Sequence, residues 1–437
     1  MSHTVVVGGG LAGIAAAVAL SLASERVTLF ERRRVLGGRA SAFPVETGWL
    51  DNCQHVILGS CVNLMDLLKK LGTDQRVSFH SEIPFFELGK TTVIHPSRLP
   101  VPLHFLPSFL KAPLFNLKEK WEIVKLFSKL RTLSMEDPSL DQMTLETWLI
   151  RNNQSPESIA NFWNIVFVSS LNETLNRISA KYGVMVLKET FFRKREFAEM
   201  GTPNVSLSEL YHEAAESLFQ KGKVKVVYSN VKAYDFTDSK PKVILDDGTM
   251  HEGDTLISAV PFYNLLPLLP EPMREDPFFS QTKNLETSPI LGIHLWFDRH
   301  VTKAPFGAFP VSPIHWFFSK PPQDEGQYIQ LVVSACRDFM NESTESLVDL
   351  GLQELRKIFP GKMQAARLVQ SRVVRESRAT FSPLPGVDRF RPTQVTPVPR
   401  FFLAGDWTQT GWPATMEGAV RSGYQAAAAL LARKSGN

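Results

Sequence analysis

A short glycine-rich turn between an apolar run and an alanine-rich run constrains this chain most. The β-branched run Val5 to Val7 is typical of a buried parallel strand. Gly8 permits a tight turn, Gly10 lets the backbone approach a phosphate, and Gly13 lets the next helix pack closely on the strand. The positive end of that helix favours an anion. The predicted pyrophosphate-binding residues of this turn are Gly8, Gly10, Leu11, Ala12 and Gly13.

An acidic residue follows at the spacing expected of a dinucleotide site. The next apolar run, Val27 to Phe30, ends at Glu31, about 20 residues beyond the turn, where a carboxylate accepts both hydroxyls of the adenosine ribose. We predict that Glu31 and its neighbour Arg32 contact the cofactor. A glycine turn alone is weak evidence, but the strand before it, the helix after it and the acid together indicate dinucleotide binding.

The uncharged run from Thr4 to Ser24 also has the length of a targeting segment or membrane anchor. No lysine or arginine precedes this run, and three glycines stand where a membrane-spanning helix needs large apolar side chains. The following strand also needs Val5 to Val7 as its neighbour in a sheet. We therefore interpret the run as part of a folded domain.

Composition limits the class of protein. A chain of 437 residues is too long for one ordinary hydrophobic core, so we expect two domains. Its content of 43% hydrophobic and 21% charged residues is typical of a folded protein. The three cysteines, Cys53, Cys61 and Cys336, form no CxxC pair and favour a reducing cytoplasm. The net charge of +4 comes without a basic arm or zinc-finger spacing, so we expect neither nucleic-acid binding nor a metal site.

The segments divide into two interleaved domains. We predict an α/β fold, with a Rossmann-like FAD-binding domain and an α+β substrate domain that alternate along the chain. The FAD-binding domain is assigned to residues 1–83, 200–261 and 386–437, and the substrate domain to residues 84–199 and 262–385.

Individual elements follow from periodicity and turn residues. Predicted helices are Val62 to Leu71, a lysine-rich helix around Lys118 to Lys129, Leu145 to Asn152 and Ser155 to Lys188. Predicted strands are Lys223 to Tyr228, Val231 to Asp235, Lys242 to Leu245, Thr255 to Pro261, Ile290 to Phe297, Tyr328 to Ala335 and Phe401 to Ala404.

The segment Phe402 to Tyr424 is the second strong signal. A strand that ends in Gly-Asp places a carboxylate at the carboxyl edge of the sheet, where Asp406 would accept a ribityl hydroxyl. Pro413 suits a first helical position, so the N–H groups of a helix from about Ala414 would face the flavin N1 and O2. The predicted cofactor residues of this corner are Gly405, Asp406, Thr415 and Met416.

Together the motifs resemble a flavoprotein superfamily. The opening turn, Gly38-Arg39 and the Pro413 to Ala419 string are similar to those of the amine oxidase, phytoene desaturase and protoporphyrinogen oxidase superfamily. This resemblance implies FAD, with Gly38, Arg39 and Val231 among its contacts. No cysteine or histidine stands where it would compel a covalent link, so we expect tight noncovalent binding.

Three internal motifs most resemble hydroxysqualene dehydroxylase, also called squalene-associated FAD-dependent desaturase. They are Asp51-Asn52-Cys53-Gln54-His55, Leu171-Asn172-Glu173 with Ile178-Ser179-Ala180, and Gly405-Asp406-Trp407-Thr408. The resemblance implies reductive removal of the hydroxyl of hydroxysqualene to give squalene, on the bacterial route toward hopanoids, with an external electron donor. The family has glycine where this chain has Cys53, which makes the roles of the neighbouring residues less secure.

Hydroxide is a poor leaving group, so this reaction needs a proton donor. The superfamily layout implies that Asp51 and His55 lie near the isoalloxazine, and Glu417 is a third candidate. Each also has a structural interpretation, because Asp51 can cap a turn, His55 can bond the cofactor only, and Glu417 can satisfy the first turn of its helix.

A long isoprenoid substrate implies an apolar tunnel that opens at a lipid surface. The region Leu99 to Leu133 mixes large apolar residues with lysines, so it is either a membrane-facing surface or a helical lid. We expect a cytoplasmic protein that is peripheral on the inner face of the cell membrane. Three alternatives stay open: a phytoene-type polyprenoid desaturase or isomerase, a non-enzymatic prenyl-binding protein similar to Rab GDP dissociation inhibitors, and an amine oxidase.

Overall fold

A parallel sheet joins both ends of the chain. The computed structural model describes residues 2–46, 48–88, 90–320 and 326–435. Its parallel sheet, here called the nucleotide sheet, has five strands in the order Val224–Tyr228, Arg26–Glu31, His3–Val7, Thr255–Ser258 and Phe401–Leu403. The strand order reverses beside His3–Val7, and this reversal creates a crevice at the carboxyl edge.

Two helices that are distant in sequence pack together on this sheet. The helix Leu11–Leu22 follows the glycine turn, and Met416–Ser435 is the last helix described. A Cβ on Gly423 would lie 2.2 Å from the carbonyl oxygen of Ala12, so only a glycine allows this approach. The helices Val62–Leu71 and Glu213–Lys221 complete the layer. The predicted α/β, Rossmann-like fold class is therefore confirmed.

A second, larger sheet carries the other half of the molecule. Its strands lie in the order Leu368–Phe381, Thr287–Phe297, Gln327–Ser334, Trp316–Ser319, Phe306–Ala308, Ile83–Glu87 and Lys90–Ile94. All neighbours are antiparallel except Phe306–Ala308 and Ile83–Glu87. Apart from Ile83, the first residue of Ile83–Glu87, the strands of both sheets lie within the segments assigned to their domains, and the domain boundaries themselves stay predictions.

Helices cover the second sheet, and small sheets join the two halves. The larger helices are Leu106–Lys111, Leu117–Leu130, Leu145–Arg151, Asn164–Leu171, Ala180–Phe191, Phe262–Leu268, Thr344–Ile358 and Pro360–Ala365, with single turns at Pro156–Ser158, Glu271–Arg274 and Pro277–Ser280. The π-helical segments are Ile159–Trp163 and Ser208–His212. The 3₁₀ turns are Asp74–Arg76, Leu103–Phe105, Pro138–Asp141, Arg195–Ala198, Gln281–Asn284, Arg337–Phe339 and Val387–Phe390.

The small sheets contain Ala42–Val45 with Gly48–Asp51; Ile57–Leu58, Met200–Pro203 and Val77–His80; and Val231–Asp235, Lys242–Leu245 and Met250–Glu252.

Two predicted helix bounds are wrong. The segment Ser155 to Lys188 is not continuously helical, because Asn172 adopts a left-handed conformation (φ 49°) and ends the helix that precedes it. The last helix begins at Met416 rather than near Ala414, so Pro413 is not its first residue. The hydroxyl of Thr415 accepts a hydrogen bond from the N–H of Gly418 (3.1 Å) and so caps this helix.

Candidate functional site

A large cavity opens at the carboxyl edge of the nucleotide sheet. It measures about 790 Å³ and runs from the glycine turn, past Asp406, into the space between the two sheets. Its walls therefore come from both predicted domains. All predicted cofactor residues except Gly13 line it, namely Gly8, Gly10, Leu11, Ala12, Glu31, Arg32, Gly38, Arg39, Val231, Gly405, Asp406, Thr415 and Met416.

The glycine turn leaves room for an anion at a helix end. Gly8 has φ 107°, and a Cβ on it would lie 2.7 Å from the carbonyl oxygen of Ala259. A Cβ on Gly13 would lie 1.9 Å from the carbonyl oxygen of Gly8, so Gly13 sets the helix against the strand from behind the cavity. Gly10 caps the helix without a side chain, which leaves the first N–H groups facing the cavity. This arrangement fits a pyrophosphate.

Glu31 lies at the end of its strand, beside this turn. Its carboxylate accepts hydrogen bonds from the N–H groups of Gly9 (2.7 Å) and Arg33 (2.9 Å). Each carboxylate oxygen can accept a second bond, so a ribose that enters the cavity finds two acceptors already held in place. The backbone contacts thus orient Glu31 as its predicted role requires.

Arg39 links the two ends of the chain across the cavity. Its guanidinium forms an ion pair with the carboxylate of Asp406 and donates to the carbonyl oxygen of Ala379 (2.9 Å). Burial opposes the charge of Arg39, but Asp406 outweighs burial and raises the pKa of Arg39 above its ordinary value. A fixed positive charge therefore stands beside the predicted ribityl contact.

A buried arginine that sequence reasoning missed shapes the Asp406 corner. The Arg391 side chain is 1% exposed, and it donates to the carbonyl oxygens of Asp406 (3.0 Å) and Trp412 (2.9 Å). It also forms an ion pair with Asp388 (3.0 Å). An arginine can satisfy several carbonyl oxygens of one loop because its donors are fixed in a plane. No local motif marks Arg391, because its partners become neighbours only in the folded chain.

Beyond the predicted flavin contacts the cavity becomes mainly apolar. The apolar side chains that line this part include Leu58, Ile83, Phe85, Ile165, Val166, Val186, Phe191, Met200, Leu268, Ile290, Trp316, Phe318 and Val332. Cys53 belongs to the same wall, where burial raises the pKa of its thiol to about 12. The backbone of Cys53 is not left-handed, so a residue other than glycine fits here without strain.

His55 brings a polar atom to this apolar chamber. Its Nδ1 lies 2.8 Å from the carbonyl oxygen of Cys53, an atom that can only accept, so Nδ1 carries the proton. Burial lowers the pKa of His55, and the imidazole is neutral near pH 7. His55 lines the cavity, and its Nε2 is therefore an acceptor rather than an acid in the resting protein.

Two other catalytic candidates lie outside the cavity lining. The Asp51 carboxylate accepts from the N–H of Leu207 (2.8 Å) and pairs with Lys320 (3.3 Å). The Glu417 carboxylate accepts from the N–H of Leu64 (2.8 Å) and the side chain of Asn63 (2.6 Å). Neither carboxylate lines the cavity, whereas the superfamily layout implied that Asp51 would lie near the isoalloxazine. Glu417 caps the neighbouring helix Val62–Leu71 instead of its own helix.

A different carboxylate, Glu376, does line the cavity. It lies on the strand Leu368–Phe381, which was absent from our predictions, and it pairs in register with Ile290 of the adjacent strand. The carboxylate of Glu31 already accepts a hydrogen bond from the backbone, and that of Asp406 is paired with Arg39. Glu376 shares the cavity with His55 and Arg39, and its charge contributes to the electrostatics of both.

The internal motif Leu171-Asn172-Glu173 joins the helices to the second sheet. Asn172 lines the cavity, and its amide donates to Thr380 (2.9 Å) and accepts from the N–H of Ala335 (2.8 Å). Glu173 is fully buried and forms a two-bond ion pair with Arg337, both bonds 2.6 Å. These contacts fix the chamber wall, and the role of Glu173 is structural.

Comparison with known proteins identifies the family. The family described as flavin-containing amine oxidoreductase matches residues 11–431. The chain belongs to this family, and its cofactor is FAD.

Relatives of known function share a quarter of the sequence over nearly the full chain. The 15-cis-phytoene desaturase of Synechococcus elongatus is 26% identical over 98% of this chain and 96% of its own length. The zeta-carotene desaturase of Synechocystis is 27% identical over 98% of this chain and 97% of its own length. The 15-cis-phytoene desaturase of Capsicum annuum is 27% identical over 98% of this chain and 77% of its own length. The chain is therefore a flavin-dependent oxidoreductase related to carotenoid desaturases.

Solved structures confirm the fold. A double mutant of putrescine oxidase superposes with a TM-score of 0.76 at 18% identity, over 99% of both chains. Cyclohexylamine oxidase from Brevibacterium oxydans gives a TM-score of 0.75 at 16% identity, also over 99% of both chains. At these identities the likeness concerns the fold alone.

Proposed function

We propose that this protein reductively removes the hydroxyl of hydroxysqualene to give squalene. The observation that carries the proposal is a single cavity that joins the nucleotide edge to a large apolar chamber containing a neutral histidine. Bound FAD in its reduced form would supply hydride to the allylic carbon, while the C–O bond breaks and one proton converts the departing hydroxide to water. The chain itself has to hold the isoprenoid, orient its hydroxyl and manage that proton.

A hydroxylated substrate accounts for polar atoms in an otherwise apolar chamber. The Nε2 of His55 can accept a hydrogen bond from a substrate hydroxyl, which would orient the C–O bond. A pure hydrocarbon offers no hydrogen-bonding group to His55. The internal motifs around Cys53 and Asn172 supply part of this wall and independently resemble the dehydroxylase family.

Glu376 is our candidate for the group that handles the proton. It lies on a strand of the second sheet and lines the cavity that also contains His55 and Arg39. Asp51 and Glu417 hold structural partners instead. In this proposal His55 positions the hydroxyl, and Glu376 passes a proton to the departing oxygen.

A second candidate, desaturation of a phytoene-type polyene, is favoured by the relatives. Those cited above are named as phytoene or zeta-carotene desaturases, and their names support this activity more than dehydroxylation. Desaturation removes a hydride and a proton from adjacent carbons. A neutral His55 that lines the cavity suits the uptake of that proton.

One pair of assays separates the two candidates. The FAD-loaded protein is incubated with hydroxysqualene under anaerobic reduction, and with phytoene under oxidising conditions, and products are identified by mass. Squalene from the first mixture, without conversion in the second, supports the proposal. A desaturated carotenoid from the second mixture, without squalene from the first, overturns it in favour of the desaturase.

We also propose that the protein works at a membrane surface, on the cytoplasmic side. No helix in the described parts of the chain is both long and apolar enough to cross a bilayer. Large apolar side chains are nevertheless exposed between residues 99 and 121: Leu99, Leu103, Leu110, Leu117 and Trp121. An isoprenoid substrate dissolves in lipid, so a peripheral contact would give it a route to the chamber.

A further inference from the structure

We infer that the helix Leu117–Leu130 carries a binding cleft for the phosphate headgroup of an anionic phospholipid. This inference rests on the membrane association proposed above and assigns to it a defined site. The cleft has a volume of about 400 Å³ and lies on the outer face of the helix. Its lining residues are Lys118, Trp121, Glu122, Lys125, Leu126, Lys129, Arg151, Asn152 and Asn153.

The charge of the cleft favours an anion. Four cationic side chains, Lys118, Lys125, Lys129 and Arg151, surround it, against the single carboxylate of Glu122. That carboxylate accepts from the hydroxyl (2.6 Å) and the N–H (3.0 Å) of Ser155, so its charge is already partly satisfied. Lys118 lies 3.9 Å from Glu122, too far for a strong pair. The cleft therefore keeps a net positive charge.

Helical spacing sets the cations beside apolar side chains. Lys118, Lys125 and Lys129 follow one stripe of the helix, and Trp121 lies on the same stripe. Trp121 is 61% exposed and Leu117 is 86% exposed, which is unusual for side chains of this size. The Lys125 ammonium lies 5.0 Å from the centre of the Trp121 ring. Cations beside an exposed tryptophan and leucine match a bilayer surface, where headgroup phosphate lies next to acyl chains.

The opposite face of the same helix packs against a residue of the chamber wall. Phe127 packs against Phe191, with ring centres 5.6 Å apart, and Phe191 lines the cavity. The helix thus forms part of the wall between the exposed patch and the chamber. A lipid that binds in the cleft would place the bilayer against the outer side of this wall.

Vesicle partition of the full FAD-loaded chain tests the cleft. The probes are phosphatidylcholine vesicles with and without phosphatidylglycerol, at low and at physiological salt. The variant Lys118→Gln/Lys125→Gln is compared with Lys221→Gln/Lys225→Gln, which removes the same charge from exposed positions near the nucleotide sheet. We expect about tenfold weaker partition into anionic vesicles for the first pair and a much smaller change for the second. Trp121→Ala should weaken partition at both salt concentrations, since its contribution is apolar.

The outcomes separate the cleft from the broader proposal. If the parent protein binds anionic vesicles and both lysine pairs reduce binding equally, the cleft is refuted while membrane association stands. If the parent binds no vesicle, both fail, although the product assay can still succeed. A cleft that serves free phosphate would be revealed if inorganic phosphate at physiological ionic strength displaced the protein from the vesicles. Equal partition of the parent and Lys118→Gln/Lys125→Gln into anionic vesicles would overturn the lipid assignment.

Discussion

The protonation state of His55 gives the first prediction at the scale of residues. Because burial lowers the pKa of His55 and Nδ1 donates to Cys53, the imidazole stays neutral below the ordinary value of 6.5. We therefore expect His55 to contribute no change in kcat/KM between about pH 8 and pH 6.5, and its protonation to lower kcat/KM only below that range. His55→Phe should lower kcat/KM about a hundredfold with normal FAD content, and His55→Gln should retain more activity. A rise in activity on acidification through pH 6 that persists in Glu376→Gln but disappears in His55→Phe would show that His55 acts as an acid.

Glu376 gives a second test at this scale. If Glu376 passes the proton, Glu376→Gln should lower kcat at least tenfold and change the pH profile, while FAD affinity stays within about twofold. The control is Glu345→Gln, which removes a carboxylate from an exposed helix start. An unchanged pH profile in Glu376→Gln, whatever its rate, would remove Glu376 from the chemistry.

Two buried histidines predict how stability depends on pH. Burial lowers the pKa of both His294 and His315 to about 4, from an ordinary value of 6.5. Below pH 6.5 these two histidines take up protons in the unfolded chain but stay largely neutral in the folded protein. The free energy of unfolding therefore falls as the pH falls. Each histidine should reduce the unfolding free energy by about 2 kcal/mol between pH 7.5 and pH 5.

Chemical denaturation at the two pH values checks this expectation. His294→Gln should start from a lower stability, because Tyr328 loses its hydrogen bond to Nδ1 (2.7 Å), but its loss between pH 7.5 and pH 5 should be smaller. A pH dependence identical to that of the parent would contradict the prediction for His294.

At the scale of elements, glycine contacts hold the nucleotide sheet and its helices together. A Cβ on Gly13 would lie 1.9 Å from a backbone oxygen that cannot move alone. Gly13→Ala should therefore shift the helix Leu11–Leu22, lower the unfolding free energy by at least 2 kcal/mol and reduce FAD content. The matched control is Gly361→Ala, in the helix Pro360–Ala365, where a Cβ meets no atom within 4 Å. Equal FAD content and stability in both variants would contradict the proposed packing role.

The contacts of Glu417 at the start of the helix Val62–Leu71 predict a structural role for it rather than a catalytic one. Removal of its carboxylate leaves the N–H of Leu64 and the amide of Asn63 without their acceptor. Glu417→Ala should thus lower the unfolding free energy by roughly 2–3 kcal/mol and leave kcat within about twofold at low temperature. A variant of native stability that has lost its activity would restore the catalytic interpretation.

Elements with strong local signals could be predicted from the sequence, and those set by tertiary contacts could not. Val62–Leu71 has the predicted bounds because leucines recur at helical spacing and Gly72, at φ 75°, ends the helix. Leu368–Phe381 was missed because it lies at the edge of its sheet, where much of it is exposed and its arginines obscure any apolar alternation. The π-helical segment Ile159–Trp163 also lacks a local sequence signal.

The same distinction applies to the candidate site. The cofactor edge was predictable because Gly8, Glu31 and Asp406 follow strand ends that share one edge of a parallel sheet. The substrate side was not, because Glu376 and Arg391 reach the cavity or its rim from strands and loops paired over long sequence separations. The contacts of Asp51 with Leu207 and Lys320 could not be predicted, because its motif carries no information on which way a side chain points.

At the scale of the whole molecule, both ends of the described chain form the carboxyl edge of the nucleotide sheet. The middle of the chain forms a chamber that opens onto this edge. The strands His3–Val7 and Phe401–Leu403 flank Thr255–Ser258, and Arg39 pairs with Asp406 across the cavity. The chamber wall then extends through Phe191 to the outer helix Leu117–Leu130. In our proposals, the cofactor site, the substrate chamber and the membrane surface therefore lie in series.

The most direct test of this account is a single turnover followed at the flavin. The FAD-loaded protein is reduced without oxygen and mixed with hydroxysqualene, while flavin absorbance and products are recorded together. The account predicts that oxidised flavin absorbance returns as squalene forms, with one squalene for each flavin. Flavin that stays reduced in the presence of bound hydroxysqualene, with no squalene formed, would contradict it.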